Sequence, residues 1–159
     1  MSRLCGPPSV VEQERPLSEY AALTVAFGAA LGGFLLLARP RLPERIGLGD
    51  VVRIGLASYK LGRLVAKDDV TTWVRAPVTQ DPDATEPKPH GAQRALGELV
   101  TCPYCVGVWI ASGLSYGLVL FPRETRFVTT IFGGQAVADF LNAAFVRLRG
   151  LAVSSSRPD

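Results

Sequence analysis

The chain has 159 residues, 48% of them hydrophobic and only 19% charged, with a mean hydropathy of +0.23. That balance excludes a chain disordered throughout, and three cysteines are too few for a disulfide scaffold. The net charge is +3, 14 of the 17 basic residues are Arg, and no aromatic-interleaved basic stretch points to nucleic acid.

In chain order, residues 1–18 read as an extracytoplasmic extension. Residues 20–38 then run 19 positions without a charge. As a helix that is about 28 Å, close to the hydrocarbon thickness of a bilayer. Ahead of it Glu12, Glu14 and Glu19 outnumber Arg3 and Arg15, and the positive charge follows at Arg39, Arg41 and Arg45. With no A-x-A site, this is expected to be a retained span and not a cleaved signal peptide.

Residues 48–67 have a helical pattern. Arg53, Lys60, Arg63 and Lys67 fall within about 80° of one another, with Val51, Ile54, Ala57, Leu61 and Val65 on the other side. Each cation carried across a bilayer costs about 2.5–3.5 kcal/mol. The segment is therefore expected as an amphipathic helix at the cytoplasmic surface, its basic face on anionic lipid headgroups. The plainer alternative packs it on the bundle with its charges solvated. Both leave it outside the bilayer centre.

Residues 76–93 contain Pro77, Pro82, Pro87 and Pro89 and are expected to form a mobile cytoplasmic loop, neither helix nor central strand. Residues 104–121 give a second uncharged run of 18 residues, and residues 127–146 a third of 20, interrupted only by Asp139. Residues 152–159 are expected to be a disordered tail. The fold class predicted is all-α: a polytopic membrane protein with three transmembrane helices and one surface helix, forming a single domain over 19–151. Seven basic residues lie between Arg39 and Lys67, and Arg147, Arg149 and Arg157 follow the third span, against Arg123 and Arg126 in the short loop. The positive-inside rule then puts the N-terminus outside and the C-terminus in the cytoplasm of a bacterial plasma membrane. Four spans would put both ends on one side and lose this agreement.

Gly28 and Gly32, Gly113 and Gly117, and the stripe Gly107, Ala111, Ser115 are spaced for close helix approach, expected within the protein more than in a dimer. Gln135, Asp139 and Asn142 share one face of the third span. An ionisable residue there is a functional candidate by default. Arg53, Lys60 or Arg63 is the expected partner of Asp139, and a structural ion pair is favoured over proton or ion handling.

Cys102-Pro103-Tyr104-Cys105 is the sharpest local feature. Two cysteines so spaced can share a metal or form a disulfide, and a thiolate at a helix N-terminus is stabilised there. The four letters are those of the glutaredoxin active site, but a membrane helix follows where that fold needs strands. A structural zinc needs four ligands. Cys5 is expected across the membrane, so His90 and Glu98, or a second chain's cysteine pair, would have to complete the set. No cofactor is expected, with zinc at Cys102 and Cys105 the exception considered.

Arg63-Leu64, Asp69, Arg75, Pro77 and the run from Gly97 through Glu98, Cys102, Cys105 and Gly107 to Trp109 resemble the bacterial membrane-protein family called domain of unknown function 1360. That family includes a Bacillus sporulation-associated protein. The resemblance implies a small polytopic membrane protein, and the family has no assigned activity to carry over. On the residues themselves, Arg63, Asp69 and Arg75 are placed to pair near the Cys102 turn. Gly107 would permit close packing, and Trp109 would sit in the interfacial belt. No catalytic triad, phosphate loop or carboxylate pair stands out. The expected role is a non-enzymatic structural or interaction subunit, with membrane-protein partners or copies of itself. The alternatives are a thiol-redox or metal protein using Cys102 and Cys105, and a small oligomeric channel or transporter using Asp139.

Overall fold

The structure, a computed structural model, describes residues 17–81, 86–89 and 91–155, with side chains to Gly150. Expectations for residues 1–16, Cys5 and His90 lie outside the described residues. Six helices form: α1 (Leu17–Ala38), α2 (Leu48–Lys67), α3 (Thr72–Arg75), α4 (Gly91–Thr101), α5 (Pro103–Leu120) and α6 (Pro122–Ser155). Short 3-10 turns occupy Arg39–Arg41, Asp69–Thr71 and Ala76–Val78.

Proline punctuates the long helices. Pro40 sits in the turn that ends α1, while Pro103 and Pro122 open α5 and α6, where a missing N–H costs nothing. Between the last two, Phe121 leaves the helical region at φ −136° and makes a hairpin. Its N–H reaches Gly117 O at 2.7 Å, and Thr125 N–H reaches Phe121 O at 3.0 Å.

Contacts fix the directions. Phe27 meets Trp109 (5.1 Å between centroids) and Phe34 stacks on Tyr116 (4.0 Å), so α1 runs parallel to α5 with the same seven-residue step. Gly62 lies against Pro103 and Gly107, so α2 is antiparallel to α5. Asp50 meets Arg126, Lys60 meets Asp139 and Tyr59 stacks on Phe140, so α2 is parallel to α6. The four long helices therefore run up, down, up, down, with α2 between α5 and α6.

This arrangement differs from the sequence reading. Helix α2 packs between α5 and α6, as the plainer alternative had it, with two of its four cations meeting carboxylates and the others leaving through an exposed stripe. The starts of α1 and α5 lie at the same end as the C-terminal half of α6, whereas three spans set the two chain ends apart. The proline-rich segment is also less irregular than expected. Thr79 and Pro87 form a β-bridge, with Gln80 N–H to Glu86 O and Lys88 N–H to Val78 O both 3.0 Å. Helix α4 begins at Gly91, inside that segment, and α6 continues to Ser155, past the start of the expected tail.

The interior is built from small residues. Among the described residues the buried apolar side chains are Ala38, Ala57, Ala66, Ala95 and Ala136, joined by Thr125 and Thr129. The large ones face out: Leu36 and Leu37 on α1, Val108 on α5, and Phe127, Ile131, Leu141 and Phe145 on α6 are each more than half exposed. Water-soluble domains do the reverse. Among the described residues, Leu17–Arg41 (hydropathy 2.1) and Pro103–Leu120 (1.4) are long and apolar enough to cross a membrane. In α6, Gln135, Asp139 and Asn142 dilute the apolar run.

Candidate functional site

Arg75, Gly97, Glu98, Cys102 and Cys105, singled out in the sequence, lie at the end where α2 stops and α5 starts. A helix leaves its last carbonyls unpaired, and here Arg75 covers those of α2. Its Nη1 donates to Val65 O (2.7 Å), Asp68 O (3.0 Å) and Thr71 Oγ1 (3.1 Å), in a residue only 2% exposed. Thr71 Oγ1 reaches Leu64 O and Asp68 O as well. The guanidinium thus satisfies carbonyls and meets the negative end of the helix dipole at once. The chain reversal over Asp68–Thr71 makes this possible, and Thr79 Oγ1 fixes the next turn on Arg75 O at 3.0 Å.

Arg63, Asp69 and Arg75 do not pair as expected. Asp69 is exposed at the start of a 3-10 turn, and Arg63 points to Tyr59 Oη at 3.4 Å. The reversal carries Arg75 back onto α2 and turns Asp69 outward.

Gly97 explains itself by distance. A Cβ there would lie 2.7 Å from Val78 O and 2.9 Å from Pro87 Cβ, so α4 seats directly on the bridged segment. One residue on, Glu98 accepts from Arg94 Nε at 3.0 Å and from the Tyr20 hydroxyl, tying α4 to α1. Nothing in the sequence marks Tyr20 as a site residue, since a tyrosine at the edge of an apolar run carries no signal of its partner.

Cys102 caps α5, accepting from Cys105 N–H at 3.4 Å, and the two Sγ atoms are 2.8 Å apart. Both are free thiols and Cys105 is exposed. The thiol hydrogen of Cys105, and then the N–H groups of Cys105 and Tyr104, hold the Cys102 pKa below its ordinary value against the opposing effect of burial. Among the described residues no three Cys, His, Asp or Glu side chains converge on a possible metal position. Trp109 packs edge-on to Phe27, two turns inside α5, and not at its end.

Farther along the bundle, Lys60 Nζ lies 2.7 Å from Asp139 Oδ2, and Gln135 Nε2 reaches the other carboxylate oxygen at 3.4 Å. Asn142 is exposed. The four cations of α2 thus part company. Lys60 pairs with Asp139, Arg53 turns to Asp50 (3.6 Å) and Gly49 O (3.1 Å), and Arg63 and Lys67 open on a groove beside α5.

The fold and this end of it define an all-helical bundle with two strongly apolar helices and a buried arginine cap. The chain belongs to the family described as "Protein of unknown function (DUF1360)", which matches residues 54–145. It is also similar to the UPF0713 protein YngL of Bacillus subtilis (strain 168), 26% identical over 113 residues covering 66% of this chain and 87% of that one. No solved structure matches it.

Proposed function

We propose that this is a multi-pass protein of the bacterial plasma membrane, with four helices crossing and both the start of α1 and the end of α6 toward the cytoplasm, acting as a structural or interaction subunit. The observation that carries the reading is the inverted distribution of side-chain size, with Ala, Gly and Thr inside and Leu, Val, Ile and Phe outside. Lipid gives large apolar side chains no reason to hide, so helices meet through small residues. In this reading α2 crosses with the other three, its Lys60 answered by Asp139, and the up-down-up-down order supports it. Lys67, Arg75, Lys88, Arg94, Arg147 and Arg149 then lie toward one side and Arg39, Arg41, Arg45, Arg123 and Arg126 toward the other. The positive-inside rule assigns the first group to the cytoplasm. A structural role is supported because Arg75, Gly97 and Glu98 are all engaged with their own chain.

Carbonate extraction and labelling of single cysteines on a cysteine-free background test this. The protein should stay in the membrane pellet, and Arg45→Cys should react with an impermeant maleimide from outside while N- and C-terminal reporters read inside. An Arg45→Cys label reached only from inside, with an external N-terminus, restores three crossings.

A second reading rests on the paired thiols, a membrane dithiol in which Cys102 is the more reactive partner. Alkylation of Cys102 should begin at lower pH than for a peptide thiol, and Cys105→Ala should raise that midpoint. An ordinary midpoint in both proteins would remove this reading.

A further inference from the structure

We propose that the groove between α2 and α5 holds one anionic glycerophospholipid of the cytoplasmic leaflet, its phosphate on Arg63 and Lys67 and an acyl chain along the floor at Gly107. The inference rests on the membrane reading above and deepens it. The groove has a volume of about 660 Å³ and its two halves differ in chemistry. Arg63, Lys67 and Tyr104 line one half, while Gly55, Gly107 and Ala111 line the other.

Three observations select the occupant. The first is charge. Among the described residues, Arg53 and Lys60 have carboxylate partners within 4.0 Å, and Arg63 and Lys67 do not. Two neighbouring cations without a carboxylate on one wall call for an anion. The second is position. Gly55, Tyr59, Arg63 and Lys67 follow one another four residues apart along the exposed stripe of α2, apolar first and basic last. The basic end coincides with the end of α2 and the start of α5, where a crossing helix meets the headgroups. The third is length. From Gly55 to Lys67 the helix rises about 18 Å, against about 15 Å for half of a bilayer core. A free anion would use the cations and leave the apolar half empty; an acyl chain fills it.

The test is native mass spectrometry of the full chain released from detergent with equal phosphatidylglycerol and phosphatidylcholine. Phosphatidylglycerol should be retained about 30-fold better, from two cations near a headgroup. Arg63→Gln with Lys67→Gln should abolish that preference. A Cβ at Gly55 or at Gly107 meets nothing within 4 Å, so Gly55→Leu and Gly107→Leu should fill the groove and reduce retention of both lipids without unfolding the bundle. Lys88→Gln, whose ammonium is held on Pro77 O at 2.8 Å, should change nothing. Equal retention of the two lipids, an undiminished preference in the double variant, or displacement by inorganic phosphate would each overturn the proposal. Carbonate extraction reads membrane integration separately, so failure of the groove and failure of the membrane reading give different results.

Discussion

The two ends of the bundle are built by different means. At one, α1 passes to α2 and α5 turns into α6 through short connections, and Asp50 meets Arg126 at 3.0 Å with the arginine side chain half exposed. At the other, Arg75 is buried on the carbonyls of α2, Gly97 seats α4 on a bridged loop, and Cys102 caps α5. The family match begins at residue 54, so Asp50 and the connection before it fall outside, while Arg75, Gly97, Glu98 and Cys102 at the second end fall within it. Helix ends in the open can leave their carbonyls to water; ends packed under other chain segments need partners of their own. The elaborate end is the one where that need arises.

The largest effect should come from removing the buried cap. Arg75→Ala leaves Val65 O without its close donor beneath packed chain and takes one of several donors from Asp68 O, and should cost about 3 kcal/mol. Arg75→Lys should recover only part, since an ammonium lacks the planar fork. Thermal unfolding in detergent measures both, and Arg126→Gln at the open end is the comparison, expected to leave Tm almost unchanged because exposed ion pairs contribute little. Equal losses at the two ends would erase the distinction.

Less of this end is legible in the sequence than the two strongly apolar helices are. Uncharged runs announce α1 and α5 because hydropathy is summed over neighbours in the chain. The Asp139 partner was narrowed to three cations because charge has few remedies in an apolar helix. The embedding of α2 is hidden by its own charges, which read as a solvated face until Asp139 arrives from α6. The start of α4 was masked by the prolines before it. The role of Arg75 depends on a reversal over four residues, which no periodicity records.

Gly62→Ala should have the next effect. Its Cβ would lie 2.8 Å from Pro103 O, so α2 and α5 must separate, at a cost of about 1–3 kcal/mol. Asp139→Asn keeps an acceptor for Lys60 and should cost less. Lys60→Met combined with Asp139→Leu should cost less than the two single changes added, as for a charge pair removed whole. Strict additivity in that cycle would mean the 2.7 Å contact carries no coupling.

The smallest effect should have the opposite sign. Gly28 resembles Gly62 in residue type and helical position, and with Gly32 it has the spacing expected for close packing. Yet a Cβ at Gly28 or Gly32 meets nothing within 4 Å, so neither glycine provides a close approach within this chain. Gly28→Ala then removes backbone freedom from the unfolded chain without crowding the folded one, and should raise stability by up to about 0.5–1 kcal/mol. Gly62→Ala gains the same entropy and loses it to the clash. Measured side by side, the pair separates helix propensity from packing: a loss at Gly28 as large as that at Gly62 would mean that another helix, from a second copy or a partner, approaches α1 there.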